Sequence, residues 1–175
     1  QRVAEARANA RKAKVSGRVK FRQADLFGLD LQPASVLTMY LLPDVNLKLR
    51  PRILEQLRPG SRVVSHDFDM GEWLPDEQQS IGEHRVFLWI VPAKVGGTWE
   101  WTVPLTSGPR PYVAELTQVF QQVEGHVGGK SKLPLTSPKL NGSKLAFTVV
   151  DPTGPEGRPL TMQYQGTVAN GGATG

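Results

Sequence analysis

"VLTMYLLPDVN", residues 36–46, sets an apolar run directly against Tyr40, Pro43, Asp44 and Asn46. A run with so little alternation predicts a strand buried on both faces, as parallel sheets require, here over residues 35–42. In an open parallel sheet, ligands bind beyond the carboxyl ends of the strands. The polar cluster after Leu42 therefore marks a binding edge if the flanking segments supply the rest of such a sheet.

They read that way. Residues 1–15 have helical period, with Val3, Ala6, Ala10 and Ala13 on one stripe and Arg7, Arg11, Lys14 and Arg18 opposite. "GRVKFRQADLF" predicts a short strand through Val19 and Phe21, ending near Asp25. Residues 46–58 predict a helix with Leu47, Ile53, Leu54 and Leu57 inward, Asn46 as its cap, and Pro51 as a break or fresh start. The Pro59-Gly60 turn then leads into a third strand through Val63 and Val64. Helix, strand, strand, helix, strand is an α/β order.

After residue 84 the pattern changes. "RVFLWIVPAKVGGTWEWTV" predicts two strands around a Gly96-Gly97 hairpin, and 104–111 is a Pro/Gly-rich linker. Residues 112–168 predict a β-meander with Ala114, Leu116, Phe120, Leu145, Phe147 and Val149 inward. Its turns fall at Gly128-Gly129 and, the strongest signal, Asn141-Gly142. Residues 169–175 predict a flexible tail.

Composition bounds the function classes. The chain has 175 residues, 39% of them hydrophobic and 21% charged, which is globular rather than disordered. It has no cysteine, so disulfides, thiolate metal sites and cysteine nucleophiles are excluded. The net charge of +5 concentrates at the start: residues 1–60 carry 12 Lys/Arg against 5 Asp/Glu, and residues 61–175 carry 9 against 11. That basic row reads as a solvated helix face rather than a nucleic-acid surface, because no aromatic residue is interleaved to stack bases. No apolar run approaches the roughly 20 residues of a membrane span. Gln1 opens a helical period without a Met, a signal pattern or a cap, which reads as a start inside an element.

"RVAEARANARKAKVSGRVKFRQADLF", "VLTMYLLPDVNLKLRPRILEQLRPGSRVVSHDFDMGEWLPDE" and "VFLWIVPAKVGGTWEW" together resemble the later part of a class I S-adenosylmethionine-dependent methyltransferase. The nearest flavour is the bacterial group related to small lysine methyltransferases, and the resemblance covers residues 1–103. It implies a Rossmann-like sheet without its N-terminal portion, closed by an antiparallel hairpin and followed by the meander. It implies S-adenosyl-L-methionine as cofactor, with Asp25 accepting from the adenine amino group and Leu26 and Phe27 beside the ring. Tyr40 and Leu41 would lie near the methionine part, with Asp44 and Asn46 toward the substrate. A Gly-rich turn and a ribose-binding acidic residue belong to the same pattern and would precede Gln1.

Each residue also has a plainer reading. Asp25 fits a turn cap, Tyr40 a core aromatic with its hydroxyl on a carbonyl, and the four tryptophans packing around the hairpin. "SHDFDM" brings His66, Asp67 and Asp69 together, but consecutive strand residues face opposite sides, so a polar strand end is expected and no metal site. Tyr40 and Asp67 are the catalytic candidates, Asp67 or His66 as a base toward the acceptor. His84 and His126 look isolated.

The expected activity is methyl transfer to an unidentified nucleophile, with a lysine amine in first place. The alternative is a non-enzymatic binding module, a degenerate methyltransferase scaffold whose meander binds a ligand or partner. No nucleic-acid or membrane partner is expected; an oligomer is compatible with the sequence. The compartment stays open, with the cytoplasm as default because the cofactor is supplied there.

Overall fold

The structure is a computed structural model and describes residues 1–106, 108–128, 132–153, 157–169 and 171–174. The chain forms two compact units, Gln1–Asp30 and Leu31–Gly175. Among the described residues no helix is long and apolar enough to cross a membrane.

The first unit holds α1, Arg2–Lys12, with Ala10 buried and Val3 and Ala6 half-buried on the expected stripe. Ala13 lies past the helix end and is exposed, so the stripe stops one turn early. The strand expected through Val19 and Phe21 does not form. A strand exists through its ladder, and no described residue pairs with this segment. The Phe21 carbonyl instead accepts from Arg7 at 3.2 Å. A single 3-10 turn, Leu26–Gly28, follows.

The second unit begins with a four-stranded sheet in the order β1-β2-β4-β3. β1 (Val36–Met39) and β2 (Arg62–His66) are parallel, with Val36 opposite Arg62 and Met39 opposite Ser65. β3 (Glu77–Ile81) and β4 (His84–Ile90) form the antiparallel hairpin, around Gly82-Glu83. The crossover from β1 to β2 is α2, Pro43–Gln56. Its start differs from expectation because Pro43 occupies the first turn, where a missing N–H costs nothing. That pulls the end of β1 back to Met39 and moves Asn46 from a cap into the helix. The buried stripe of this segment is Asn46, Leu49, Ile53 and Leu57, while Leu47 is exposed. The helix runs through Pro51 without stopping.

Gly96-Gly97 is not a hairpin. β4 ends its sheet at Ile90, and β5 (Gly97–Leu105) opens a different one with β6 (Gly108–Val119), β7 (Gln122–Val127) and β8 (Leu133–Pro134). Of residues 104–111, expected as a linker, 104–105 are therefore the end of β5 and 108–111 the start of β6, while Ser107 lies outside the described residues. A third sheet holds β9 (Thr136–Asn141), β10 (Lys144–Asp151), β11 (Leu160–Ala169) and β12 (Gly172–Thr174). Part of the expected tail thus pairs as a strand: Ala173 lies opposite Val168. Asn141-Gly142 turns the β9–β10 hairpin as expected, with Gly142 at φ +57°. Gly129 lies outside the described residues. Ala114, Leu116, Leu145 and Val149 are buried in the core of these two sheets, and Phe147 packs against it.

Three contacts fasten these sheets to the first one. The half-buried Gln118 amide accepts from Val95 N–H (2.7 Å) and Gly96 N–H (3.2 Å), and donates to the Ala93 (2.8 Å) and Phe120 (2.7 Å) carbonyls. Phe120 takes φ +54° at the β6–β7 turn, and its ring stacks on Trp73 at 6.1 Å. The Gly142 carbonyl accepts from Ala93 N–H at 2.8 Å. Trp73 and Trp89 are fully buried, with Trp89 Nε1 donating to the Trp73 carbonyl at 2.7 Å, as the packing reading expects.

Candidate functional site

The site lies where β1, β2 and β4 bring their ends together. Tyr40 follows the last residue of β1 and is 82% exposed, which rules out the core-aromatic reading. Leu41 behind it is half-buried. The Tyr40 ring meets the His66 imidazole edge-on, with centroids 4.8 Å apart.

Asp67 follows β2 in the left-handed region, at φ +63°. Asp tolerates this better than most residues. Its N–H donates to the Arg85 carbonyl at 2.7 Å, and Oδ1 accepts from Arg85 N–H at 2.8 Å. The other oxygen, Oδ2, stands 2.8 Å from His84 Nδ1 and 3.2 Å from His66 Nδ1. The first contact is a hydrogen bond; the second is not one, and the buried His66 Nδ1 has no hydrogen-bond partner among the described residues. The Arg85 backbone N–H first, then the His84 hydrogen bond and the two nearby imidazoles, hold the Asp67 carboxyl below its ordinary range.

His84 was the residue that sequence reasoning missed. Seventeen positions separate it from Asp67, and the antiparallel return of β4 closes that gap. The usable signal is the hairpin at Gly82-Glu83, from which the pairing of β4 beside β2 follows. Asn46 was also misjudged. It is fully buried, and its amide nitrogen donates to Ser65 Oγ (3.0 Å) and to the Phe68 (3.1 Å) and Asp69 (3.3 Å) carbonyls. It therefore fixes the loop after β2 rather than facing a substrate. Asp44 is exposed in the first turn of α2. Asp69 Oδ1 accepts from Gly71 N–H at 3.0 Å and is not in the cluster.

In the first unit, Asp25 caps the Leu26–Gly28 turn, its Oδ1 accepting from Phe27 N–H at 3.0 Å. Leu26 is half-buried and Phe27 is 41% exposed. An acceptor carboxylate beside an exposed flat apolar ring fits an adenine amino group, since Asp25 Oδ2 carries no hydrogen bond among the described residues. Trp99 and Trp101 lie elsewhere, lining a cleft of about 620 Å³ with Phe147 and Tyr164. His126 pairs with Glu115 at 3.1 Å.

Residues 1–77 match the ANTKMT methyltransferase domain. A protein-lysine N-methyltransferase of Saccharolobus islandicus (strain REY15A) is 38% identical over 95 residues, covering 52% of this chain and 59% of the relative. The crystal structure of an RNA methyltransferase from Salinibacter ruber, in complex with S-adenosyl-L-homocysteine, is similar at a TM-score of 0.52. It is 52% identical, covering 53% of this chain and 61% of that one. The chain thus spans about three fifths of the length of these relatives. The resemblance to class I methyltransferases is borne out by all three, and the first part of the chain has a methyltransferase-like fold.

Proposed function

We propose, on the premise of that kinship, that the protein carrying this chain transfers a methyl group from S-adenosyl-L-methionine to a lysine amine. The observation that carries the reading is Tyr40: an exposed aromatic at the carboxyl end of a parallel strand, against the His66–Asp67–His84 group. The cofactor supplies a sulfonium-bound methyl group. The amine nitrogen forms the new N–C bond as the S–CH3 bond breaks, leaving S-adenosyl-L-homocysteine, and the proton of the amine must go to an acceptor.

Asp25, Leu26 and Phe27 are assigned to the adenine, and Tyr40 and Leu41 to the methionine end. Asp67, kept ionised, attracts the cationic amine, and its partner His84, whose Nδ1–H donates to Asp67 Oδ2, leaves Nε2 as the atom to receive the proton. Tyr40 aligns the amine, since displacement depends on reacting atoms held about 3 to 3.5 Å apart. A carboxylate at this position suits an ammonium group better than a phosphate backbone, which favours lysine over RNA.

Titration of S-adenosyl-L-homocysteine into the chain by calorimetry tests the cofactor reading. Saturable binding is expected, weakened about tenfold by Asp25→Ala, on the order of one lost charge-assisted hydrogen bond. Absence of binding by the chain and by a form extended to the relatives' length overturns it. Transfer of a labelled methyl group to RNA instead of protein overturns the lysine assignment alone.

A further inference from the structure

We propose that His66, Asp67 and His84 form a binding site for a divalent transition metal of the zinc, cobalt or nickel type. One ligand atom from each lies within 4.8 Å of the others. Around an ion with bonds of roughly 2.0 to 2.1 Å, tetrahedral donors stand about 3.3 Å apart. The Asp67 Oδ2 distances of 2.8 and 3.2 Å to the two Nδ1 atoms are already near that spacing. Two imidazoles and a carboxylate are the donor set such ions prefer, with water completing the shell.

Two further observations point to a ligand. His66 Nδ1 is buried, has no hydrogen-bond partner among the described residues and lies 3.2 Å from Asp67 Oδ2. Such an unpaired buried nitrogen costs stability, and coordination would satisfy it. The ligand carboxylate is also held from behind. Asp67 sits at φ +63° with Oδ1 on Arg85 N–H, leaving Oδ2 turned between the two rings. Second contacts of this kind orient metal ligands. The His84 side chain is 60% exposed, so an ion can reach the site from solvent. An ion on His84 Nδ1 and Asp67 Oδ2 would replace the hydrogen these two atoms share, so the metal-loaded form and the hydrogen-bonded pair exclude each other. Metal binding itself does not rest on the methyl-transfer reading.

The test is titration of Co2+ into the whole chain, followed by visible absorption, with Zn2+ added afterwards to displace it. One equivalent should bind with an absorption characteristic of nitrogen–oxygen coordination. His84→Ala and Asp67→Asn should each weaken binding by at least about tenfold, the scale reached even by loss of a ligand's supporting partner. Asp67→Asn preserves a residue that tolerates positive φ and an acceptor for Arg85 N–H, so folding is maintained and is checked by circular dichroism. His126→Ala, at the Glu115 pair, should change nothing. No saturable absorption, or binding that survives His84→Ala and disappears with His126→Ala, overturns the proposal, whatever the outcome with S-adenosyl-L-homocysteine.

Discussion

Asp151 is 5% exposed yet ionised, and four groups make that possible. Arg110 Nη1 and Tyr112 Oη donate to Oδ2 at 3.0 and 3.3 Å, and Thr153 donates to Oδ1 through N–H (2.8 Å) and Oγ1 (2.7 Å). Burial pushes the carboxyl up, but the Thr153 bonds, Arg110 and Tyr112 outweigh it and hold it below its ordinary value. A depressed carboxyl contributes stability that is present above the unfolded-state pKa and is lost as pH falls through the folded one. Chemical denaturation between pH 7 and 2 should therefore show stability falling below about pH 5, where unfolded aspartates begin to bind protons. Asp151→Asn should flatten that fall and lower stability at pH 7 by about 2 kcal/mol, the scale of hydrogen bonds to a charge. None of this was legible in the sequence, since the partners lie up to 41 positions away. The candidate site divides the same way. Tyr40 and Asp67 were legible because strand ends in α/β sheets carry chemistry. Asn46 was not, because an Asn near a helix start also fits a cap and only burial separates the two.

Helix α2 shows how an element overrides its own composition. Pro51 removes the bond to the Leu47 carbonyl, yet the helix continues to Gln56 because Leu49, Ile53 and Leu57 bury one side of it. Pro51 is on the exposed side, as is Leu47, so water can reach the unpaired carbonyl. An interior proline costs about 3 kcal/mol relative to alanine, offset by about 0.4 to 1 through restriction of the unfolded chain. Pro51→Ala should accordingly raise stability by about 2 to 2.5 kcal/mol, measured as a higher denaturation midpoint with an unchanged slope. The strands were legible wherever alternation and a turn residue agreed, as at Asn141-Gly142. The β6–β7 turn was not, because it uses Phe120 at positive φ with no Gly or Asn to announce it. Its reason lies outside the element, in the seat of the Phe120 ring on Trp73 and under the Arg50 guanidinium at 5.4 Å. The misplaced hairpin at Gly96-Gly97 has a related cause: a Gly pair reports that the chain turns, and says nothing of which sheet it enters.

From Leu31 onward the molecule is one unit, and close backbone contacts join its sheets beside the Phe120–Trp73 stack. The tip of the β9–β10 hairpin presses on the turn before β2, and a Cβ on Gly142 would stand 2.9 Å from Gly60 Cα. Gly142→Ala pays both for that approach and for φ +57°, about 1 to 2 kcal/mol for the conformation alone. The expected loss is at least about 2 kcal/mol. Tryptophan fluorescence and far-ultraviolet circular dichroism should shift together, since the tip supports both regions. Two separated transitions would show that they unfold independently. Gln118 extends the point. One amide side chain satisfies four backbone groups, three of them in the 93–96 crossing between sheets. Severing or splicing the chain at that crossing leaves Ala93, Val95 and Gly96 unpaired on one fragment and the Gln118 amide unpaired on the other. The β-rich region is consequently no detachable cassette: exchange of it between relatives must carry Gln118 and Gly142 along, or the α/β half loses its closing edge.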